Sequence, residues 1–572
     1  MGHIKILSPE VAQKIAAGEV IERPFSVVKE LVENSLDAGA TEIRVDLIEG
    51  GKKLIKVEDN GSGMSQEDVI LCFQRHATSK ISQAEDLEKI ATLGFRGEAL
   101  ASIDAVSRLV LKTSEGHGGF KIEREGGRLI RFSEAAYPRG TIVEVRDLFF
   151  NLPARRKFLR SASSELALIV RYLMTIALAF PEVAFTLTHS QRQLLNCSAV
   201  RTRKERLYQL FGREAWEKML ELDWQEGDYQ INGFISRPPK GLSDKLRQLY
   251  YVNRRPVKDR IIAAAVQQGA KNWFEKDNYP EVYLFLNLPF TEVDVNVHPA
   301  KAEVRFRDSG RVFQLCLSAV DETLKREAKA KEIYLEKAVT KVKEIKEEIE
   351  KTTWQASILA FQKKIRPESV AGKEDKKEEE KEKAWQVLGQ YLNFYIVVGD
   401  EEGLLIIDQH NAHERILYEQ YAEWKDSGGF ARRQPLFPLL MELNPAEIVR
   451  LEEIKAFLEE FGFEIENLGG RSLLVRSLPE FLEDEEARQI LLAVLRTDDP
   501  GAVLADPSER LLATMACQTA IKAGAALSLE KMEYLVKELF RCHNPWLCPH
   551  GRPTTIRLNR NDIERGLKRG SN

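Results

Sequence analysis

The sequence predicts an α+β chain of several domains, on three observations: its length, a restart of strand and helix patterning, and one wholly charged interruption. At 572 residues the chain exceeds what one core accommodates, and about 150 residues per domain suggests three or four units. Ile43–Leu47, Leu54–Glu58 and Thr141–Val145 read as β-rich runs interleaved with helical patterns. The texture restarts between Trp224 and Ile235, and Leu249–Val252 and Val282–Leu286 read as buried strands of a second domain ending near Ala330. From about Lys331 to Ala384, Lys, Glu and Ala dominate, and Glu374–Lys383 is wholly charged. Such a segment buries too little apolar surface to offset its ordering entropy, so it reads as a linker, partly helical at most. Order returns at Trp385. Gln390–Val398 and Leu404–Ile407 read as strands joined at a Gly399–Gly403 turn, with a helix from about Asn411.

Hydrophobic residues make up 43% and charged residues 30%, the balance of a globular protein, and the net charge is -4. Any nucleic-acid contact must therefore come from local basic patches. No apolar run reaches the roughly 20 residues of a bilayer span, and Met1–Glu10 does not read as a secretory signal. The six cysteines are too few for a disulfide framework, and Cys517, Cys542 and Cys548 crowd the C-terminal end as metal ligands do. The expectation is an intracellular protein in a reducing compartment.

A Walker loop needs Gly-Lys followed by Ser or Thr, and neither Gly51-Lys52-Lys53 nor Gly372-Lys373-Glu374 complies. Another pocket is suggested by the helix Ser26–Ala38, where Val27, Glu30, Leu31 and Asn34 share one face. On an apolar stripe a carboxylate and an amide one turn apart suit a ligand: Glu30 to polarise water, Asn34 to ligate Mg²⁺. The alternative is that both sit at a solvated edge of the face. Asp59-Asn60-Gly61-Ser62-Gly63 then sets an acceptor carboxylate at a strand end beside two glycines, suited to an exocyclic amine and a base lying on the backbone. Thr92–Ile103 reads as a glycine-punctuated loop entering a helix, whose backbone N–H groups suit phosphate. Each segment alone is equally a turn or an ordinary helix start.

Taken in order, these segments resemble the ATPase superfamily uniting gyrase, a heat-shock chaperone, histidine kinases and MutL. Lys14–Ala40 (KIAAGEVIERPFSVVKELVENSLDAGA), Asp59–Met64 (DNGSGM), Arg75–Ile81 (RHATSKI) and Thr92–Ile103 (TLGFRGEALASI) most resemble the MutL family of DNA mismatch-repair proteins. The resemblance implies an ATPase sandwich over 1–220 and a β-α transducer domain over 221–330 that completes the ATP site. By position it makes Glu30 the general base, Asn34 the Mg²⁺ ligand and Asp59 the adenine-reading carboxylate with Gly63 nearby. It places Thr78, Ser79, Arg96 and Gly97 in a lid over the phosphates. Val293–Phe306 (VDVNVHPAKAEVRF) resembles the segment whose lysine, here Lys301, reaches the γ-phosphate.

Two basic knots are DNA-phosphate candidates: Arg155, Arg156, Lys157 and Arg160, and Arg254, Arg255, Lys258 and Arg260 beside Tyr250 and Tyr251. Charge clusters are commonly solvated faces. The family resemblance, which implies DNA binding without sequence preference, favours the functional reading.

In the C-terminal part, Asp408-Gln409-His410-Asn411-Ala412-His413-Glu414 sits where a buried strand meets a helix, with Glu419 five residues on. His410 and Glu414 at i, i+4 can reach one metal, and Cys548-Pro549-His550-Gly551-Arg552-Pro553 offers a thiolate and an imidazole on a stiff turn. Together they suit Zn²⁺ or Mn²⁺; a capped helix with a structural turn, or a structural zinc without catalysis, remain alternatives. Asp408–Glu419 (DQHNAHERILYE) resembles the signature of MutL proteins that nick DNA themselves, with Asn411 where that signature has Ala; ACQTAIKA (Ala516–Ala523) and CPHGRP resemble its companions. The resemblance implies a metal-dependent endonuclease at Asp408, His410, Glu414, Cys548 and His550, with Cys517 and Glu419 less central. It further implies an α/β C-terminal domain: a dimerisation and endonuclease subdomain over 385–432 plus 511–572, and a regulatory subdomain over 433–510. Gln434-Pro435-Leu436-Phe437-Pro438 resembles the peptide by which bacterial proteins dock on the sliding clamp, through Gln434, Leu436 and Phe437. The implied protein is a cytoplasmic bacterial homodimer using ATP, Mg²⁺, Mn²⁺ and Zn²⁺, and working with a MutS-type mismatch-recognition protein and the clamp. The rival readings are an ATP-gated scaffold with a structural metal, and a chaperone or topoisomerase subunit.

Overall fold

The computed structural model describes residues 20–81, 83, 92–94, 97–239, 247–274, 278–295, 304–329, 385–427, 429–435, 437–496, 507–522 and 524–566. The expected linker 331–384 lies outside them. The chain divides into two compact units, residues 1–332 with 442–453, and residues 333–441 with 454–572.

In the first unit, helix α1 (Pro24–Asp37) starts with proline at its first turn, where a missing N–H leaves nothing unpaired, and ends before Gly39 in the left-handed region. It buries Val27, Val28, Leu31 and Val32 against an eight-stranded sheet. The strands are β1 (Glu42–Ile48), β2 (Leu54–Asp59), β3 (Arg108–Ser114), β4 (Phe120–Glu125), β5 (Arg128–Glu134), β6 (Gly140–Arg146), β7 (Ala184–His189) and β8 (Arg192–Cys197). Their order is β5-β4-β3-β6-β2-β1-β7-β8, with β1 and β7 parallel. Strand alternation points Ile43, Val45, Leu47, Ile55 and Val57 into one core. Helix α2 (Ala162–Ala179) is long and apolar enough to cross a membrane by composition, but here its Leu166, Ile169, Val170, Leu173 and Ile176 lie in that same core.

A second sheet follows within the same unit: β9 (Met219–Glu226), β10 (Tyr229–Ser236), β11 (Gln248–Val252), β12 (Arg255–Val257) and β13 (Val282–Asn287), ordered β12-β11-β13-β10-β9. Beyond it β14 (Val293–Asp294) pairs with β15 (Arg305–Phe306). Helix α3 (Arg260–Ala270) is capped by Asp259, whose carboxylate accepts from the N–H groups of Ile261 and Ile262. Such a cap contributes about 1 kcal/mol.

The second unit holds a four-stranded sheet, β16 (Trp385–Tyr391), β17 (Tyr395–Asp400), β18 (Gly403–Asp408) and, far along the chain, β23 (Thr555–Asn559), in the order β16-β17-β18-β23. Between them in sequence come β19 (Arg432–Arg433), β20 (Leu439–Glu442), β21 (Glu464–Gly469) and β22 (Ser472–Pro479), which form a separate sheet. The inner face of the first sheet carries Val387, Ile396, Val398, Leu405 and Ile407. Helix α4 (Gln409–Asp426) contributes Ala412 and Ile416 to that core, and α5 (Leu529–Leu539) contributes Met532, Leu535 and Val536.

Two local expectations change. Gln390–Val398 is not one strand but a hairpin, because Leu392 and Asn393 turn back with positive φ, which the asparagine tolerates. The helix expected from Asn411 begins at Gln409, because Asp408 caps it by accepting from the N–H groups of His410 and Asn411 at 3.0 Å each.

Candidate nucleotide pocket and candidate metal centre

In the first unit α1 lays Glu30, Asn34 and Asp37 along the wall of a cavity of roughly 1420 Å³. Glu30 and Asn34 are half-buried, while Val27 and Leu31 turn into the core. Asp59 stands at the end of β2 across from them. Ser35 Oγ donates to its Oδ2 at 2.7 Å and Gly61 N to its Oδ1 at 2.9 Å, and with a third bond from Thr141 the carboxylate still has acceptor capacity for a ligand. Burial pushes the Asp59 carboxyl above its ordinary pKa, and those two hydrogen bonds with one from Thr141 only partly restore it. Gly63 and Gly97 both have positive φ and no room for a side chain: a Cβ would stand 2.0 Å from Ser114 O and 2.5 Å from Ala77 O. Thr78, Ser79 and Gly97 line the cavity; Arg96 and Lys301 lie outside the described residues.

Two residues of the pocket were not legible from spacing. Lys80 Nζ donates to Asn34 Oδ1 at 2.8 Å and to Asp37 Oδ2 at 2.6 Å, so a cation already stands against the expected Mg²⁺ ligand. Asp37 also accepts from Leu93 N at 2.8 Å and Gly94 N at 2.9 Å. An oxygen pair that holds an ammonium at the wall of a roomy cavity fits a hard cation beside phosphates.

In the second unit the two predicted segments converge. His410, Glu414 and Cys517 form one cluster and Glu414, Cys548 and His550 another, with ligand atoms within 4.8 Å inside each. Glu414 belongs to both and is 3% exposed. Its two oxygens face His410 Nε2 at 3.3 Å and His550 Nδ1 at 3.5 Å. Burial alone would raise the Glu414 carboxyl; hydrogen bonds from His410, His550 and Cys517 instead hold it well below the usual carboxylate range. Cys548 and Glu414 together raise His550 to about 9, while burial beside the Glu414 carboxylate pushes the Cys517 thiol up. These mixed N, O and S donors on one buried carboxylate suit Zn²⁺ or a related divalent ion.

The surrounding bonds orient the donors. His410 Nδ1 pairs with Ile521 O at 3.0 Å, which leaves Nε2 to face Glu414. His413 Nδ1 accepts from Ile521 N at 2.9 Å, so the two histidines hold the two backbone groups of one residue, and burial lowers His413 to about 4. Gln409, wholly buried, donates to Asn393 O at 2.8 Å and Ala525 O at 3.1 Å. Asn411 donates to Pro553 O at 3.0 Å, a tie to the CPHGRP turn that alanine would lack.

Other expected residues fall elsewhere. Asp408 belongs to neither cluster among the described residues; its Oδ1 caps α4. Glu419 belongs to neither cluster among the described residues; it accepts from His543 N at 2.7 Å and Asn544 N at 3.3 Å. In the second basic knot Lys258 and Arg260 are exposed, while the two arginines before them turn inward. Arg255 is 7% exposed and donates to Thr92 O at 2.8 Å, and Arg254 pairs with Glu182 and covers the Phe180 ring. The hairpin between β11 and β12 turns these two guanidinium groups onto the protein itself. Arg156, Lys157 and Arg160 are exposed, while Arg155 bends to Ile21 O. In the segment 434–438, Gln434 is exposed and Phe437 is 77% exposed; Leu436 lies outside the described residues.

The sandwich and its cavity define an ATPase domain, and the family profile described as "Histidine kinase-, DNA gyrase B-, and HSP90-like ATPase" matches residues 21–121. "DNA mismatch repair protein, C-terminal domain" matches 207–325, and "MutL C terminal dimerisation domain" matches 388–527. The "DNA mismatch repair protein MutL" of Dictyoglomus thermophilum is 38% identical over the whole of both chains, and that of Koribacter versatilis 36% over the whole of both. The chain therefore belongs to the MutL family of DNA mismatch-repair proteins. Among solved structures, the "Aquifex aeolicus MutL ATPase domain complexed with ADP" is 31% identical, with 52% of this chain and 98% of that one covered and a TM-score of 0.37.

Proposed function

We propose that this protein initiates mismatch repair as an ATP-driven homodimer that nicks DNA at the C-terminal cluster. The observation that carries the nicking is Glu414, a buried carboxylate with both oxygens turned to histidines from two distant segments and thiols on either side. A divalent metal held by His410, Glu414, Cys517, Cys548 and His550 would supply Lewis-acid activation of water against a phosphodiester. Ile521 fixes the His410 ring, and Asn411 and Arg415 hold the chain around the CPHGRP turn, Arg415 donating to Leu547 O at 2.6 Å. At the ATP site Glu30 is placed to take the proton of an attacking water and Asp59 to accept from an adenine amine, and Asn34 would hold a Mg²⁺ that would offset phosphate charge.

Dimerisation is supported by the outer face of the β16–β18 and β23 sheet. Val397, Ile406 and Ile556 stand in register there, with Leu404 opposite Leu558; Ile556 and Leu558 are exposed. A second copy laid on this apolar face buries it. Arg156, Lys157 and Arg160 offer phosphate contacts without sequence preference, and the exposed Gln434 and Phe437 present a peptide suited to the sliding clamp. A MutS-type protein and the clamp license the nick, in the cytoplasm.

The test is Mn²⁺-dependent nicking of supercoiled plasmid by the full chain beside Glu414→Gln and Glu30→Ala. The proposal expects nicking to vanish in the Glu414 variant and ATP turnover to vanish in the Glu30 variant. Equal nicking by wild type and Glu414→Gln overturns it and leaves an ATP-gated scaffold.

A further inference from the structure

Arg255 is a charged group that neither the expected DNA contact nor the ATP chemistry uses. It starts β12, an edge strand of the second sheet, yet it is almost wholly buried and its side chain reaches Thr92 in the wall of the nucleotide pocket. Burying a guanidinium is expensive unless its surroundings answer the charge. The groups that answer it are specific. Its Nη2 donates to Thr92 O at 2.8 Å, and the carboxylates of Glu33, Asp37 and Glu30, all on α1, oppose the loss of its proton that burial favours.

Residues 92–94 are thus held from two sides. Arg255 takes the carbonyl of Thr92, while Asp37 takes the N–H groups of Leu93 and Gly94. Thr92 Oγ1 closes the short segment on itself by donating to Gly94 O at 2.7 Å. The same Asp37 carboxylate holds Lys80, and Lys80 holds Asn34. An unbroken run of hydrogen bonds therefore leads from the second sheet to the amide expected to ligate Mg²⁺.

We propose that Arg255 is a positioning residue for nucleotide chemistry, setting the Asn34–Asp37 face of the pocket through Thr92–Gly94 and so tying the cation-binding end of the ATP site to the second sheet. It never touches the nucleotide. The inference rests on the reading of this cavity as the ATP site. Removing the guanidinium frees one side of residues 92–94, so the Asp37 carboxylate loses its fixed place and Asn34 its register with the phosphates. The loss falls on the cation-dependent part of binding more than on adenine recognition, because Asp59 is held separately by Ser35 and Gly61.

The experiment follows a fluorescent ADP analogue bound to the full-length protein as Mg²⁺ is titrated, together with steady-state ATP turnover, for wild type, Arg255→Met, Arg255→Lys and Asp37→Asn. For Arg255→Met the expected result is a rise of about tenfold in the Mg²⁺ needed for half-maximal binding, the size seen when an outer partner of a metal ligand is lost. Its kcat should fall by a similar factor, while analogue affinity at saturating Mg²⁺ stays within about twofold and Arg255→Lys recovers part of the response. Asp37→Asn should show the same defect, and combining it with Arg255→Met should add little, since both act on one segment. A wild-type Mg²⁺ response in Arg255→Met overturns the proposal. So does a loss of analogue affinity at every Mg²⁺ concentration with a matching fall in Tm, which marks a packing role. If Arg255→Met does not fold, Arg255→Lys with Asp37→Asn decides in the same way. Absence of turnover in wild type above a Glu30→Ala control would instead sink the ATPase reading, and the binding titration would still report on Arg255.

Discussion

The two candidate sites solve opposite problems. The nucleotide pocket is roomy, its working groups are half-buried, and its shape depends on glycines that keep side chains out. The candidate metal cluster is tight, its central carboxylate is buried, and its shape depends on polar side chains packed against one another. An open pocket must admit and release a large charged ligand, so it keeps spare acceptor capacity, as Asp59 does. A metal centre must hold a small ion in fixed geometry, so its donors are oriented by a second layer of bonds, as Ile521 orients His410. The difference predicts that substitutions at the cluster act nearly all-or-none, while those at the pocket grade affinity.

The largest effect is expected at Glu414. Glu414→Gln should reduce plasmid nicking by about 100-fold or more while leaving ATP turnover intact, as separate gel and phosphate-release assays would show. Turnover lost together with nicking would mean that the two sites are not the independent constructions their geometry implies.

At the pocket, Asp59→Asn should weaken ATP binding by roughly 10- to 100-fold, the value of a hydrogen bond to a charged group. Stability should move the other way. Burial raises the Asp59 pKa above 3.8, so the folded state holds the proton more tightly than the unfolded chain does, and ionised Asp59 destabilises the fold at neutral pH. That penalty is absent below 3.8 and is felt in full once pH exceeds the raised folded value. Asp59→Asn should therefore leave Tm unchanged or higher, and ATP affinity of the wild type should decline on acidification sooner than for an ordinary aspartate. A fall in Tm in the asparagine variant would show that Asp59 is structural.

On the outer sheet face, Ile556→Asp should shift the protein from dimer to monomer in sedimentation at micromolar concentration, with ATP binding per chain unchanged. A stable dimer would move the interface elsewhere. The smallest effect belongs to Asn411. Losing its bond to Pro553 O in Asn411→Ala should lower stability by about 1 kcal/mol and leave nicking within a few-fold, because a neutral hydrogen bond contributes no more. A total loss of nicking would place Asn411 among the groups that shape the metal centre.

Much of this molecule was legible in the chain because the relevant signals are local. Alternation marked β1, β2 and β6, the i, i+4 spacing put His410 and Glu414 on one helix face, and the glycines of DNGSGM marked a backbone that tolerates no side chain. The hairpin hidden in Gln390–Val398 was missed because its turn residues are a leucine and an asparagine inside an apolar run, and only Asn393 carries a turn signal.

What the tertiary structure alone decided is which charges face inward. Arg254 and Arg255 look like Arg156 and Lys157 in sequence, yet a hairpin folds one pair onto the protein while a short helix leaves the other in solvent. Glu419 shares α4 with Glu414, yet its carboxylate meets the backbone of His543 and Asn544 instead of the ligands. Lys80 and Asp37 gained their roles only when residues 34, 37, 80 and 94 met around one cavity. Periodicity is written into neighbouring residues, whereas the partner of a charge is chosen by packing between segments far apart in the chain. Residue type and spacing therefore determine the elements and the chemistry on offer, and the fold determines which of those groups are used.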